Sequence, residues 1–128
     1  MTAIDYKADS EAGGAGILPA DTLEGDKVVN QQGEDLGRVE AIMLDTGRGR
    51  IAYAVLSFGG FLGMGEKLFA IPWGALKVDS ANERVMLNVD KQQLENAPGF
   101  DKDNWPQMAD RQWAASIHSH YRARPYWE

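Results

Sequence analysis

The residues best equipped for chemistry are few, and several lie near the C-terminal end of the sequence. His118 and His120 are the only histidines. A His-x-His pair can chelate a metal on a strand, where alternate side chains share a face. The surrounding pattern is helical instead, and two residues apart on a helix point about 200° apart, so the pair reads as two surface histidines. Asp101, Asp103 and Asp110 could serve a hard cation, but their more ordinary task is to favour a helix N-terminus, which is the role expected of them. There is no Gly-x-Ser-x-Gly elbow and no base-orienting motif beside either histidine. With no cysteine, thiolate nucleophiles, disulfides and Cys-based metal sites are ruled out. The expectation is therefore a protein that is not an enzyme and needs no cofactor.

A glycine-rich run, Gly59-Gly60-Phe61-Leu62-Gly63-Met64-Gly65, invites comparison with phosphate-binding loops. Its order matches neither GxGxxG nor GxxxxGK[ST], and a strand rather than a helix follows it, so no N-terminal amides await an anion. Phe61, Leu62 and Met64 have two readings: an exposed apolar patch for a partner, or a plug folded over an open end of the domain. A homodimer in which each loop covers the other copy would satisfy both. The tail from Tyr121 to Glu128 combines Arg122 and Arg124 with Tyr121, Tyr126 and Trp127. That mixture suits a protein interface or RNA bases, and equally a C-terminus tied down onto its own domain.

The elements that must position these residues are short. Segments rich in Val, Ile, Leu and aromatics, punctuated by Gly, Asp and Asn, predict strands at 26–30, 37–44, 50–58, 67–71, 76–79 and 84–89. Asp45 to Gly49 and Asp79 to Asn82 carry the turn chemistry between neighbouring strands. In the last strand Val85, Leu87 and Val89 alternate with Arg84, Met86 and Asn88, as a half-buried strand requires. The third is apolar on both sides, with Ile51, Tyr53 and Val55 opposite Ala52, Ala54, Leu56 and Phe58, which predicts a central or covered strand. Such strands, with no long helices between them, favour an all-β-dominated fold: a small, closed, six-stranded antiparallel barrel. Asp90 should cap a short helix over 91–96 with Leu94 inward. A second helix should start with Asn104 as its cap and Pro106 in its first turn, burying a stripe of Trp105, Ala109, Trp113, Ile117 and Tyr121. The expected division is a flexible arm over 1–20, a barrel over 21–100 and a helical aromatic extension over 101–128.

A chain of 128 residues supports one core. Thirteen Lys and Arg against nineteen Asp and Glu give a net charge of −6, an average field that repels nucleic acid and anionic membranes. No apolar stretch approaches the roughly 20 residues that cross a bilayer, and Met1 to Ser10 lacks the apolar run of an export signal, so no membrane insertion and a cytoplasmic location are expected.

Three segments in order carry a family resemblance. The run from Gly25 to Val39, with Gly33 and Gly37, resembles the opening hairpin of PRC-barrel domains. The segment Gly59 to Trp73 is similar to that family's glycine-rich loop and the strand ending in Pro-Trp, and Leu94 to Phe100 is similar to its close. The resemblance covers roughly residues 21 to 100. It implies a barrel like the cytoplasmic domain of the photosynthetic reaction-centre H subunit or the C-terminal domain of the ribosome-maturation factor, neither an enzyme by itself. No membrane-spanning helix or RNA-contacting domain precedes the barrel in this sequence, so those proteins' particular roles do not transfer.

The function expected is thus a non-catalytic interaction or assembly module with a protein partner of unknown identity, and a homodimer as its form. Its contact candidates are Phe61, Leu62, Met64, Trp113, Tyr121, Tyr126 and Trp127. Two alternatives stay open. One is a small apolar or aromatic ligand at the barrel mouth near Trp73 and Phe69, and the other is an RNA- or ribosome-associated adaptor.

Overall fold

The computed structural model describes residues 16–59 and 67–128. Six strands form one sheet: β1 (Lys27–Val29), β2 (Asp35–Asp45), β3 (Arg50–Phe58), β4 (Lys67–Pro72), β5 (Leu76–Asp79) and β6 (Arg84–Leu87). All six lie where the apolar segments place them. Two helices follow, α1 (Lys91–Glu95) and α2 (Arg111–His120).

The strand order is β4-β3-β2-β1-β6-β5. Every neighbouring pair is antiparallel except β1 and β6, which run parallel with Val28 opposite Val85. The expectation of a fully antiparallel, closed barrel is corrected on both counts. Strands β2 to β5 together form the long crossover that a parallel pair requires. At the ends of the ladder β4 and β5 are not paired with each other. They are joined through a 3₁₀ turn at Trp73–Ala75, entered from Pro72, which has no N–H to donate. Phe100 pairs with β4 at its other end, through reciprocal backbone bonds to Leu68 of 2.9 and 2.8 Å. The result is a six-stranded, mostly antiparallel half-barrel, open between β4 and β5.

Two buried clusters meet β3, the first through Leu56 and Phe58 and the second through Ala52 and Tyr53. One joins Val28, Leu36, Val39, Leu56, Phe58, Phe69, Ile71, Val85 and Leu87 with Leu94 and Ala97. The other joins Ala52, Tyr53 and Ala70 with Ala114 and Ile117 of α2. The apolar character of β3 on both sides is explained in part by this second cluster, in which α2 and the tail cover Tyr53 and Ala52.

Local chemistry fixes the turns. Gly37 has φ +110°, and a Cβ there would run into the backbone carbonyl of Ser57 on β3, so only glycine fits. Asn30, 1% exposed, donates through Nδ2 to Glu34 Oε1 and to the Val89 carbonyl, at 2.7 and 3.0 Å. Its Oδ1 accepts from the Gln32 and Glu34 amides at 3.0 and 2.9 Å. One side chain thereby ties the β1–β2 turn to the segment after β6.

Helix α1 starts as expected. Asp90 Oδ1 accepts from the Gln93 amide, Gln93 Oε1 accepts from the Asp90 amide, and Leu94 is fully buried. Helix α2 starts later than the stripe predicts. Its cap is Asp110, whose Oδ1 accepts from the Gln112 and Trp113 amides at 2.8 and 3.2 Å. The segment from Asn104 to Ala109 is not helical; it wraps over the sheet, with Trp105 against the Phe100 ring and Met108 in the second cluster.

Candidate binding site beneath the C-terminal extension

The second cluster is built around Tyr53. Its position at the centre of β3 buries the ring to 1% exposure. Edge-on contacts bring Trp113 and His118 of α2 to 5.3 and 5.4 Å from it, and Tyr126 of the tail to 6.4 Å. Trp127 packs against both His118 and Tyr126, at 4.9 and 5.2 Å. Edge-on arrangement suits rings whose faces are negative and edges positive.

Polar bonds hold the tail in place from outside. Tyr126 donates its hydroxyl to Asp45 Oδ2 at 2.6 Å, and Arg50 donates to the Tyr126 carbonyl at 2.7 Å. Asp45 also accepts the Arg48 amide at 3.0 Å and lies 3.5 Å from the Arg48 guanidinium. The Tyr126 hydroxyl, first, and then the Arg48 amide hold the Asp45 carboxyl below the usual carboxylate range. Burial, followed by the bond to Asp45 and its charge, pushes the Tyr126 hydroxyl up. Arg111 stacks over the Trp127 ring with its guanidinium carbon 4.4 Å from the ring centre.

Between the sheet and the extension lies a cavity of about 320 Å³. Met43, Ala52 and Met108 give it apolar walls, while Asp45, Arg48 and Arg111 bring charge to it. Tyr53 lines it too, and the buried Tyr53 hydroxyl has no hydrogen-bond partner among the described residues. Burial pushes that hydroxyl far above its ordinary value, with Tyr126 adding to the effect and Arg111 opposing it.

The candidate residues of the extension thus converge. Trp113, Tyr126 and Trp127 surround Tyr53, and Tyr121 packs against both clusters. Phe61, Leu62 and Met64 lie outside the described residues. Phe69 is fully buried in the first cluster and lines none of the described cavities, whereas Trp73 borders an open groove beside Arg124 and Pro125. Among the described residues Phe69 and Trp73 thus do not line a common cavity: Phe69 sits in the first core cluster and Trp73 at a separate groove. The surface assignment of the histidines holds for His120 and needs correction for His118. His118 is 2% exposed with Nδ1 2.8 Å from the Ala114 carbonyl, since its place on α2 shares the inward face with Ala114 and Ile117, while His120 faces out. The two do not converge, and no group of three or more His, Cys, Asp or Glu that could hold a metal occurs among the described residues.

Sequence reasoning missed Tyr53, Asp45 and Arg111. Tyr53 was recognisable only as a polar-tipped aromatic on a doubly covered strand. Asp45 presents itself as turn chemistry, and Arg111 as an ordinary helix-surface cation.

A PRC-barrel domain model matches residues 16–94, well over half of the chain. The chain belongs to the PRC-barrel family. The matched span ends at Leu94, so the PRC-barrel sheet supplies Asp45 and Tyr53 to the cavity, while Met108, Arg111, Tyr126 and Trp127 come from beyond it. Among solved structures, one that is similar is a protein described as a 16S ribosomal RNA processing protein, RimM, from Pseudomonas aeruginosa. It shares 19% identity over 59% of this chain and 45% of that one, with a TM-score of 0.40. The alignment thus spans less than half of that protein's length. No curated protein matches the chain. Among the described residues no helix is long and apolar enough to cross a membrane.

Proposed function

We propose that the protein is a non-catalytic interaction module in which the PRC barrel and its docked extension act as one scaffold for a protein partner. The observation that carries this reading is the exposure of Leu44. Its side chain is 63% accessible, on the β2 end of the β2–β3 hairpin and at the rim of the cavity beneath the extension. An apolar side chain held exposed on a strand gains by burial against a partner, and Arg48 in the adjoining turn is of a type enriched in protein contacts. Trp113 and Tyr126 are engaged against Tyr53, and Trp127 against His118 and Tyr126, so their part in such a contact is to shape the scaffold. Phe61, Leu62 and Met64 remain contact candidates on the strength of the sequence.

The adaptor reading for RNA draws less support. The Tyr126 and Trp127 rings that would stack bases are packed against each other and His118, which leaves Arg122 and Arg124 exposed without them.

The test compares wild type with Leu44→Ser and with Phe61→Ser/Leu62→Ser, each shown folded by circular dichroism. Proteins captured from host lysate are identified, and light scattering gives the mass of the purified chain. A partner lost on either substitution supports the module and locates its contact. A dimeric mass that becomes monomeric on substitution makes the partner a second copy. Identical capture and mass for all three chains would overturn the reading.

A further inference from the structure

Three features of the cavity beneath the extension call for a ligand rather than a protein contact. First, the Tyr53 hydroxyl is buried with no hydrogen-bond partner among the described residues, and Tyr53 lines the cavity, whereas Tyr121, whose hydroxyl is likewise unpaired, does not. Buried polar groups are nearly always paired, so an orphan beside a cavity asks what completes it. Second, the charges do not cancel. Asp45 is matched by Arg48 and by the Tyr126 hydroxyl, whereas Arg111 has no ion pair among the described residues; its guanidinium lies over the Trp127 ring and its charge acts on the Tyr53 and Tyr126 hydroxyls. In a chain of net charge −6, this leaves one unmatched positive charge at the cavity. Third, a guanidinium stacked on a ring keeps its N–H groups around its own edge, where they can reach a carboxylate in two parallel bonds.

Size and wall chemistry narrow the ligand. About 320 Å³ is at the lower end of small-molecule sites and suits a single-ring compound better than a nucleotide or a peptide chain. Met43 and Met108 offer adaptable sulfur-containing walls that pack well on aromatic rings, and Ala52 and Ala114 leave flat space between them. The Asp45 carboxylate disfavours a doubly charged phosphate. We propose that the cavity binds a small monoanionic aromatic compound, an aryl carboxylate, with the carboxylate on Arg111 and the Tyr53 hydroxyl and the ring between Met43 and Met108. The site adjoins the protein contact at Leu44, which stands at the cavity rim, but its polar anchors, Arg111 and Tyr53, are not part of that contact, so substitutions at Arg111 and Tyr53 test the ligand and Leu44→Ser tests the partner.

The test is isothermal titration of the full chain with benzoate and phenylacetate, and with their neutral amides, at pH 7. The expected result is saturable binding of the carboxylates with the amides at least about tenfold weaker, because a site built for a charged acceptor rejects its isostere. Arg111→Gln should abolish the preference for the carboxylates. Arg111→Lys, which keeps a cation over Trp127 but not the fork, should retain part of it. Tyr53→Phe should weaken carboxylate binding while leaving the thermal midpoint unchanged or raised, since it deletes a hydroxyl that has no hydrogen-bond partner among the described residues. That last pairing separates a ligand role from a structural one, and it decides the matter should Arg111→Gln disturb the tail. No carboxylate binding up to millimolar concentration, equal binding of acids and amides, or unchanged affinity in Tyr53→Phe would overturn the proposal.

Discussion

The Tyr126 hydroxyl donates to Asp45 Oδ2 at 2.6 Å, a bond between residues 81 positions apart that ties the C-terminal tail to the β2–β3 turn. Its pH window follows from the two groups. Asp45 is held below its ordinary value by the Tyr126 hydroxyl and then the Arg48 amide. A depressed acid stabilises the folded state above its unfolded value, about pH 4, and loses that contribution as pH falls through the folded value. Tyr126 is pushed up, by burial and then by Asp45. A raised phenol contributes fully below about pH 10 and loses the contribution as pH rises through its folded value. Near-UV circular dichroism of the aromatic cluster should therefore hold steady at neutral pH and decline at both extremes. Asp45→Asn should remove the acid limb, and Tyr126→Phe should remove both. A wild-type signal flat through both extremes would mean that the bond does not hold the tail.

Asn30 is the corresponding tie on the barrel side, since its amide bonds Glu34, the Val89 carbonyl and two backbone N–H groups. Asn30→Ala strands the buried partners and should lower stability by about 1–3 kcal/mol in denaturant unfolding. Asn30→Asp should be at least as damaging, because a carboxylate cannot donate to Val89 and would face Glu34. Equal stability of Asn30→Asp and wild type would show that water replaces the donor.

Gly37 and Gly74 make a paired test of backbone space. An added Cβ at Gly37 meets the Ser57 carbonyl at a φ that side chains avoid, whereas one at Gly74 meets nothing within 4 Å. Gly37→Ala should cost well over about 1 kcal/mol and shift the β2–β3 pairing, while Gly74→Ala should stay within about 0.5 kcal/mol of wild type. Thermal melts of the two variants check this directly.

The strands were legible because their signal is local. Alternation at Val85, Leu87 and Val89, and apolar character on both sides of β3, report burial directly, and the Asp90 capping box is complete within four residues. The parallel β1–β6 pairing and the open edge at β4 were not legible, because pairing partners distant in sequence leave no local pattern, and Phe100 rather than β5 is what pairs with β4 at Leu68. The site was legible by half. The aromatics of the extension announced that something must be covered, and the two-faced β3 was the surface in question. Nothing in the sequence linked Asp45 to Tyr126 or placed Arg111 on Trp127, because each pairing depends on where the chain turns after Phe100.

That turn depends on which residue caps α2. Four-residue spacing from Trp105 to Tyr121 favours Asn104, yet the spacing is shared by a helix that begins at Arg111 and by a preceding segment that is not helical. Asp110 accepts two amide hydrogens of the first turn, so Asp110→Ala should cost about 0.5–2 kcal/mol, whereas Asn104→Ala should cost almost nothing because its exposed side chain caps no helix. Loosening the first turn also loosens Arg111, the next residue in the chain. Asp110→Ala should therefore reduce the near-UV signal of the Trp127 environment before global unfolding, an effect absent from Asn104→Ala. The reverse ranking of the two variants would place the helix start at Asn104 and dissolve the geometry on which the Arg111–Trp127 contact rests.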